Sequence, residues 1–274
     1  MSKKKKHDGT GSMASRADRH DLYQRSVQCV EAECDMIDET FRDIRKRRAR
    51  VLREDFCGTA NTACEWVRRR KSNRAIGVDL DGEVMAWGQK HNVRKLKTSA
   101  VKRIQLINAD VLKVGTEPVD VVLAMNFSYQ LFKQRKQLRR YFTRAREALV
   151  DDGILFMDAY GGHESYGETK ERTKHKNFTY IWDQAKFNPI NHEMTCYIHF
   201  SFPDGSKIKR AFSYNWRMYT LPEICDLLVE VGFSKVTVYW EQTDEDTGEG
   251  NGVYKPAVEG EPDPSWICYL VAEK

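Results

Sequence analysis

Residues Val51–Ala60 read VLREDFCGTA and begin the pattern of alternating elements from which the fold is predicted. Its opening residues predict a short strand over residues 49–55. The segment that follows contains one glycine, Gly58, and predicts a turn over residues 56–60. A helix is predicted to come next and to end near Arg70. The stretch therefore predicts a strand, turn and helix unit whose turn lies at the carboxyl end of the strand.

The same alternation recurs along the chain as far as residue 160. The further predicted strands cover residues 74–78, 103–107, 119–125 and 154–159, and predicted helices end near residues 91 and 149. Strands that alternate with helices predict a parallel sheet with right-handed crossovers and with helices on both faces.

The alternation changes after the pair Gly161-Gly162. Three strands are predicted with no helix between them, at residues 178–187, 193–202 and 207–216, and Pro203-Asp204-Gly205 is a strong turn signal between two of them. A helix over residues 220–231 and strands over residues 235–240 and 266–272 close the chain. We therefore predict an α/β fold with a central, mostly parallel sheet, an antiparallel last strand and an antiparallel β insertion.

These predictions divide the chain into segments. We expect a polar loop exposed to solvent over residues 242–264. The predicted divisions are a disordered basic tail over residues 1–15, an N-terminal helical segment over 16–48, a main domain over 49–160 and 217–274, and the antiparallel insertion over 161–216.

Composition and charge exclude several classes of protein. No apolar run approaches the roughly 18 residues of a membrane span, and the lysines Lys3–Lys6 are not followed by the apolar segment of a secretory signal. Seven scattered cysteines favour free thiols in a reducing compartment. We predict a cytoplasmic protein without membrane contact. The basic run Lys133–Arg146 leaves contact with RNA or an acidic protein open, although a solvated helix face is favoured.

Polar side chains follow the predicted parallel strands, where ligands bind in open parallel sheets. Gly58 lets a ligand approach the backbone after the first strand. Asp79, Asp110 and Asn126 follow the next three strands, and carboxylates there suit a ribose diol and an exocyclic adenine amine. This pattern favours a nucleoside pocket over a phosphate pocket.

Motifs of other enzyme classes are missing from the sequence. It contains no GxxxxGK[ST] loop and no intact GxGxxG turn, so nucleotide-triphosphate and dinucleotide sites are disfavoured. HExxH and GxSxG motifs are also absent. A nicotinamide-dependent oxidoreductase is therefore the least favoured interpretation.

At these strand ends the sequence resembles the class I, Rossmann-like S-adenosylmethionine-dependent methyltransferases. Residues 51–60 are similar to their first motif, 76–79 to the acidic ribose motif, 108–111 to the adenine motif and 120–126 to the fourth motif. The resemblance covers residues 49–160 and 217–240. It departs at the first turn, because Phe56 and Ala60 stand where the family has glycines.

The resemblance implies S-adenosylmethionine as the cofactor, S-adenosylhomocysteine as its product, and no metal. Asp79 would hold the ribose and Asp110 the adenine, and Tyr23 would fold over the cofactor from the N-terminal helix. The residues expected to contact the cofactor are Tyr23, Glu54, Phe56, Cys57, Gly58, Thr59, Asp79, Leu80, Asp110, Val111 and Asn126.

The insertion is rich in aromatic residues, which suit a lid over a cationic methyl group or an amine. Many small-molecule methyltransferases carry such a lid at this point. His163, after the fifth strand, is the candidate catalytic base. The residues expected to contact the acceptor are Tyr129, Tyr160, Trp182, Tyr214, Trp216 and Arg217.

The expected reaction is methyl transfer to a small-molecule acceptor. Nitrogen is favoured over oxygen, because a neutral amine needs no base and none is obvious in the sequence. A tRNA or protein acceptor is the alternative, and a cofactor-binding regulator without transferase activity is a second one. The sequence predicts neither the acceptor's identity nor the oligomeric state.

Overall fold

Two β-sheets organise the chain in a computed structural model that describes residues 11–244, 246–248 and 250–274. The central sheet has eight strands. They are β1 (Val51–Asp55), β2 (Arg74–Asp79), β3 (Ile104–Asn108), β4 (Val119–Ala124), β5 (Leu149–Gly161), β10 (Lys235–Thr243), β11 (Gly250–Ala257) and β12 (Trp266–Glu273). Their order across the sheet is β11-β10-β12-β5-β4-β1-β2-β3.

Strands β1 to β5 are parallel, and β12 runs antiparallel to β5. The strand order reverses between β1 and β4, which places a crevice at their carboxyl ends. The predicted α/β fold, its mostly parallel sheet and its antiparallel last strand are confirmed.

Helices cover both faces of the central sheet, as predicted. Phe41 and Trp66 pack with Leu52 on one face, whereas Tyr141 and Leu228 pack on the other. The helices are α1 (Met13–Arg16), α2 (Arg19–Val27), α3 (Val30–Arg45), α4 (Asn61–Arg69), α5 (Gly82–His91), α6 (Thr98–Val101), α7 (Arg135–Ala148) and α8 (Leu221–Glu230). Of the helices in the described residues, none has the length and apolar character that a membrane crossing requires.

The insertion forms a separate antiparallel sheet, and we call it the insertion sheet. Its strands in spatial order are β6 (Thr169–Lys174), β7 (Thr179–Phe187), β8 (Glu193–Ser201) and β9 (Lys207–Arg217). The sequence predicted three of these strands. It missed β6, whose sequence TKERTK has no apolar alternation because it is a polar edge strand paired only with β7.

Two further segments differ from their predictions. Residues 13–15 of the predicted tail belong to helix α1, because the backbone N–H of Met13 donates to Asp204 at 2.8 Å and that of Ala14 donates to Ser206 at 3.1 Å. Residues 1–10 of that tail lie outside the described residues. The predicted loop over 242–264 contains β11, which pairs antiparallel with β10.

The side chains of β1 alternate between the two faces of the sheet. Arg53 and Asp55 therefore share one face, where they form an ion pair of 2.7 Å with both side chains almost fully buried. The hydroxyl of Tyr141 on α7 donates to the second carboxylate oxygen of Asp55 at 3.1 Å. The Asp55–Tyr141 hydrogen bond thus joins strand β1 to helix α7.

We expect Arg53→Met to destabilise the protein by about 3 kcal/mol, because it leaves the Asp55 carboxylate buried without its charged partner. The double variant Arg53→Met/Asp55→Asn removes both charges and keeps an acceptor for Tyr141, so it should recover most of that loss. Urea unfolding of the three proteins measures both effects. A double variant no more stable than Arg53→Met would contradict this account.

Candidate active site

The turn after β1 has an unusual backbone conformation. Phe56, Gly58 and Ala60 have φ angles of 56°, 50° and 55°. A bulky residue rarely adopts this left-handed conformation, and residues held in it often mark ligand sites. The Phe56 ring packs against Tyr141, with centroids 5.3 Å apart. The turn thus keeps a glycine-like backbone at Phe56, and ring packing offsets its strain.

Asp79, at the end of β2, ties this turn in place. Its carboxylate accepts the N–H of Gly58 at 2.7 Å and that of Asp81 at 2.8 Å. Asp81 caps α5 by accepting the N–H groups of Glu83 and Val84, so Asp79 is not the helix cap. Burial raises the pKa of the Asp79 carboxyl.

The residues present fit a nucleoside with a cationic arm better than a phosphate group. A Cβ added at Gly58 would meet no atom within 4 Å, so there is open space above the turn. The ionised carboxylate of Asp79 has lone pairs beyond the two it uses, and it borders this space. A carboxylate at this position would repel a phosphate but accepts hydroxyl donors.

Helix α2 closes the cleft from the N-terminal side. Gln24 donates to the hydroxyl of Thr59 at 2.6 Å, and the indole N–H of Trp87 donates to Asp18 at 2.6 Å. On its other side Tyr23 packs against Phe212 of the insertion sheet, with centroids 5.0 Å apart. Helix α2 therefore connects the turn after β1 to the insertion sheet. Arg25 of the same helix stacks on Phe178.

All but one of the predicted cofactor residues line this cleft or its continuation towards Asp110. The exception is Glu54, which lies beneath the turn and accepts the N–H of Ala63 at 2.9 Å. The lining residues among those predicted are Tyr23, Phe56, Cys57, Gly58, Thr59, Asp79, Leu80, Asp110, Val111 and Asn126.

A second, aromatic cavity lies between the insertion sheet and the end of β5. Tyr160, Trp182, Tyr214 and Trp216 line it, as predicted for acceptor contacts. The rings of Tyr214 and Trp216 are 4.4 Å apart, and the Tyr160 hydroxyl contacts the sulfur of Met194 at 3.3 Å.

The cleft lined by the predicted cofactor residues, here called the cofactor cleft, meets the aromatic cavity at three residues. Tyr23, Asn126 and Tyr214 line both spaces. A group held in the cleft can therefore reach a molecule in the cavity at this junction.

Asp158 of β5 fixes the backbone at the junction. Its two carboxylate oxygens accept the N–H of Asn126 at 2.7 Å and that of Phe127 at 2.8 Å. Asn126 and Phe127 have left-handed φ angles of 59° and 56°, so the Asp158 carboxylate holds two residues in a rarely adopted backbone conformation. Burial raises the pKa of the Asp158 carboxyl to about 7.

Three residues predicted to take part in the chemistry lie elsewhere. Tyr129 is fully buried in the core against Phe142, because the 3₁₀ turn after β4 directs it inward. Arg217 stacks on Tyr219 and binds Glu223 at 3.1 Å, outside the aromatic cavity. His163 is exposed and does not line the cavity, so the geometry gives no support to it as a base.

Sequence reasoning missed two carboxylates of the cavity, Glu164 and Glu171. Glu164 follows His163 in the same short turn, and Glu171 lies on the unpredicted strand β6. Glu171 is opposite Trp182 in the sheet register, so the two share a face. The strand alternation of β6 would have signalled this only if the strand itself had been recognised.

Gly88 of α5 lies against the backbone of the turn after β1. An added Cβ would clash with the carbonyl oxygen of Thr59. We expect Gly88→Ala to push α5 and the turn apart, to cost about 2 kcal/mol despite the better helix propensity of alanine, and to weaken cofactor binding. Gly115→Ala, where an added Cβ meets nothing within 4 Å, is the matched control. Urea unfolding and calorimetry with S-adenosylhomocysteine measure both effects, and equal behaviour of the two variants would refute the packing argument.

The buried Glu54 carboxyl makes the free energy of unfolding depend on pH. Burial raises its pKa from the ordinary range of a glutamate to about 8, so between these values the folded state binds more protons than the unfolded state. The free energy of unfolding should therefore fall as the pH rises from 5 to 8, by up to about 1.4 kcal/mol per pH unit for this carboxyl. Glu54→Gln should flatten this decline, leaving a weaker slope from Asp158. Urea titrations at four pH values test it, and stability that rises with pH in the wild type would contradict it.

Known proteins resemble this chain weakly in sequence and more clearly in fold. No protein-family profile matches the chain. A protein of Geobacillus sp. (strain WCH70) named "Putative methyltransferase" is 22% identical over 212 residues, which cover 74% of this chain and 82% of that protein.

Solved structures share the fold at low sequence identity. An S-adenosylmethionine-dependent methyltransferase from Clostridium acetobutylicum ATCC 824 is 14% identical with a TM-score of 0.64, over 93% of this chain and 96% of that one. CalS10, an amino pentose methyltransferase from Micromonospora echinaspora, is 13% identical with a TM-score of 0.64, over 97% and 99%. The sugar N-methyltransferase KedS8 from Streptoalloteichus sp. ATCC 53650 is 16% identical with a TM-score of 0.60, over 98% and 99%. The chain therefore has the Rossmann-like fold of the S-adenosylmethionine-dependent methyltransferases, which confirms at the level of the fold the resemblance found in its sequence motifs.

Proposed function

We propose that this protein is an S-adenosylmethionine-dependent methyltransferase that methylates an amine nitrogen of a small-molecule acceptor. One observation carries the proposal: a cleft lined by the motif residues opens at Tyr23, Asn126 and Tyr214 into an aromatic cavity. The structural neighbours named as amino pentose and sugar N-methyltransferases support a small nitrogen-containing acceptor.

In this proposal the residues of the cleft bind and orient the cofactor. Asp79 accepts the ribose hydroxyls and Asp110 lies on the adenine side, where its carboxylate already accepts the N–H of Leu112 at 2.9 Å. Bound S-adenosylmethionine supplies an activated methyl group, so the protein's main task is alignment and exclusion of water. The aromatic rings of the insertion sheet exclude water around the acceptor nitrogen.

An RNA acceptor finds little support in the basic helix α7. Arg135 and Arg139 both bind Glu230, and Arg144 binds Glu147 at 2.6 Å. Arg146 donates to the carbonyl of Gly232 at 2.8 Å. The carboxylates of Glu230 and Glu147 therefore offset part of the charge that would otherwise attract phosphates. The site of methyl transfer, in addition, lies beneath the insertion sheet.

Titration calorimetry with S-adenosylmethionine and S-adenosylhomocysteine tests the cofactor. We expect the wild type to bind both, and Asp79→Ala to bind at least about tenfold more weakly, because it loses charge-assisted bonds to the ribose and the tie to the Gly58 turn. Asp226→Ala, an exposed position on α8, is the matched control and should bind normally. No binding of either compound by the wild type would remove the proposal.

A mass-spectrometric screen of amine and hydroxyl acceptors then tests transfer. Methylation of amines in preference to the matching alcohols is the expected result. Exclusive methylation of hydroxyl groups would overturn the choice of nitrogen. Cofactor binding with no turnover on any acceptor would instead favour a regulator that only binds the cofactor.

A further inference from the structure

The aromatic cavity carries negative charge and no compensating positive charge among its described lining residues. Glu164 and Glu171 line it, and no lysine, arginine or histidine does. Neither carboxylate forms an ion pair with a described residue. The lining of this cavity therefore favours a positively charged molecule over an anion.

Glu171 acts on the rings that surround the cavity. Burial raises the pKa of Tyr160 and of Tyr180, and the negative charge of Glu171 raises both further. Glu171 also shares a face with Trp182. A carboxylate and several aromatic faces around one space form the combination that binds organic ammonium groups.

The acidic segment before β12 forms another wall of the same cavity. Ser265 of this segment and Ile267 of β12 line it, and the carbonyl of Pro264 accepts the N–H of Glu164 at 3.0 Å. The residues that lead to this wall include the exposed acids Glu259, Glu261 and Asp263.

We propose that the acceptor enters this cavity as a small organic cation, an ammonium compound without phosphate or carboxylate groups, and that Glu164 and Glu171 determine this selectivity. The bound ammonium releases one proton, to one of these carboxylates or to water, before its nitrogen lone pair attacks the methyl group. The inference rests on the proposed methyltransferase function and names the charge class of its acceptor. An anionic acceptor would face two carboxylates with no positive partner in the cavity. The aromatic rings Trp182, Tyr214 and Trp216 receive the apolar part of the cation.

The test compares three probes that share one ring and differ in charge: benzylamine, benzyl alcohol and benzoate. Quenching of tryptophan fluorescence reports binding to the cavity, since Trp182 and Trp216 line it. We expect saturable binding of benzylamine, binding of benzyl alcohol at least about threefold weaker, and no binding of benzoate. Added salt should weaken the binding of benzylamine alone.

Variants assign the selectivity to the two carboxylates. Glu164→Gln and Glu171→Gln should each weaken benzylamine binding about threefold, and the double variant about tenfold, without changing the binding of benzyl alcohol. Glu168→Gln is the matched control, because Glu168 is exposed on the same connection but does not line the cavity. Circular dichroism of each variant verifies that the fold is retained.

Three results would overturn the inference: benzyl alcohol binding as tightly as benzylamine, a double variant that binds benzylamine like the wild type, or no saturable binding of benzylamine at all. Calorimetry with S-adenosylhomocysteine on the same samples separates this failure from that of the proposed function. Cofactor binding without a preference for the cation removes only the inference. Carboxylate-dependent amine binding without cofactor binding removes only the methyltransferase proposal.

Discussion

The site depends on hydrogen bonds in which a carboxylate accepts backbone N–H groups of a neighbouring turn. Asp79 at the end of β2 accepts the N–H of Gly58 in the turn after β1. Asp158 on β5 does the same for the two residues after β4. Backbone N–H groups at strand ends lack sheet partners, and a charged acceptor satisfies them strongly. Left-handed conformations that would otherwise be strained are thereby kept, and the carboxyl edge of the sheet stays open to a ligand.

The two halves of the site come from different parts of the fold but share residues. The parallel sheet supplies the cleft, the insertion sheet supplies the aromatic cavity, and helix α2 contacts both. Tyr23 of α2 packs on Phe212, while Gln24, one residue later, bonds to Thr59. Because neighbouring residues of one helix contact both halves, a shift of α2 would move the junction as well.

Much of the cofactor cleft could be predicted from the sequence, since strand ends of a parallel sheet meet at one edge whatever the side chains on its surface are. Asp79 and Asp110 were found in this way. Contacts that depend on local turns were harder to predict. Tyr129 and His163 both lie within a few residues of a strand end, yet short 3₁₀ turns direct one into the core and the other into solvent.

The aromatic cavity was predicted in part, because aromatic alternation marks β7 and β9 but polar strand β6 has no such pattern. Glu171 was therefore missed, and only pairing with β7 places it beside Trp182. Strand β11 escaped prediction for a similar reason, since it contains two glycines and a proline and is held by its pairing with β10.

Strand β11 also determines how the central sheet ends. It is the outermost strand, and Pro256 lacks the N–H that a further strand would need, while Lys255 places a charge nearby. A second copy of the chain therefore finds a poor template there for extending the sheet, and this border protects the protein against edge-to-edge aggregation.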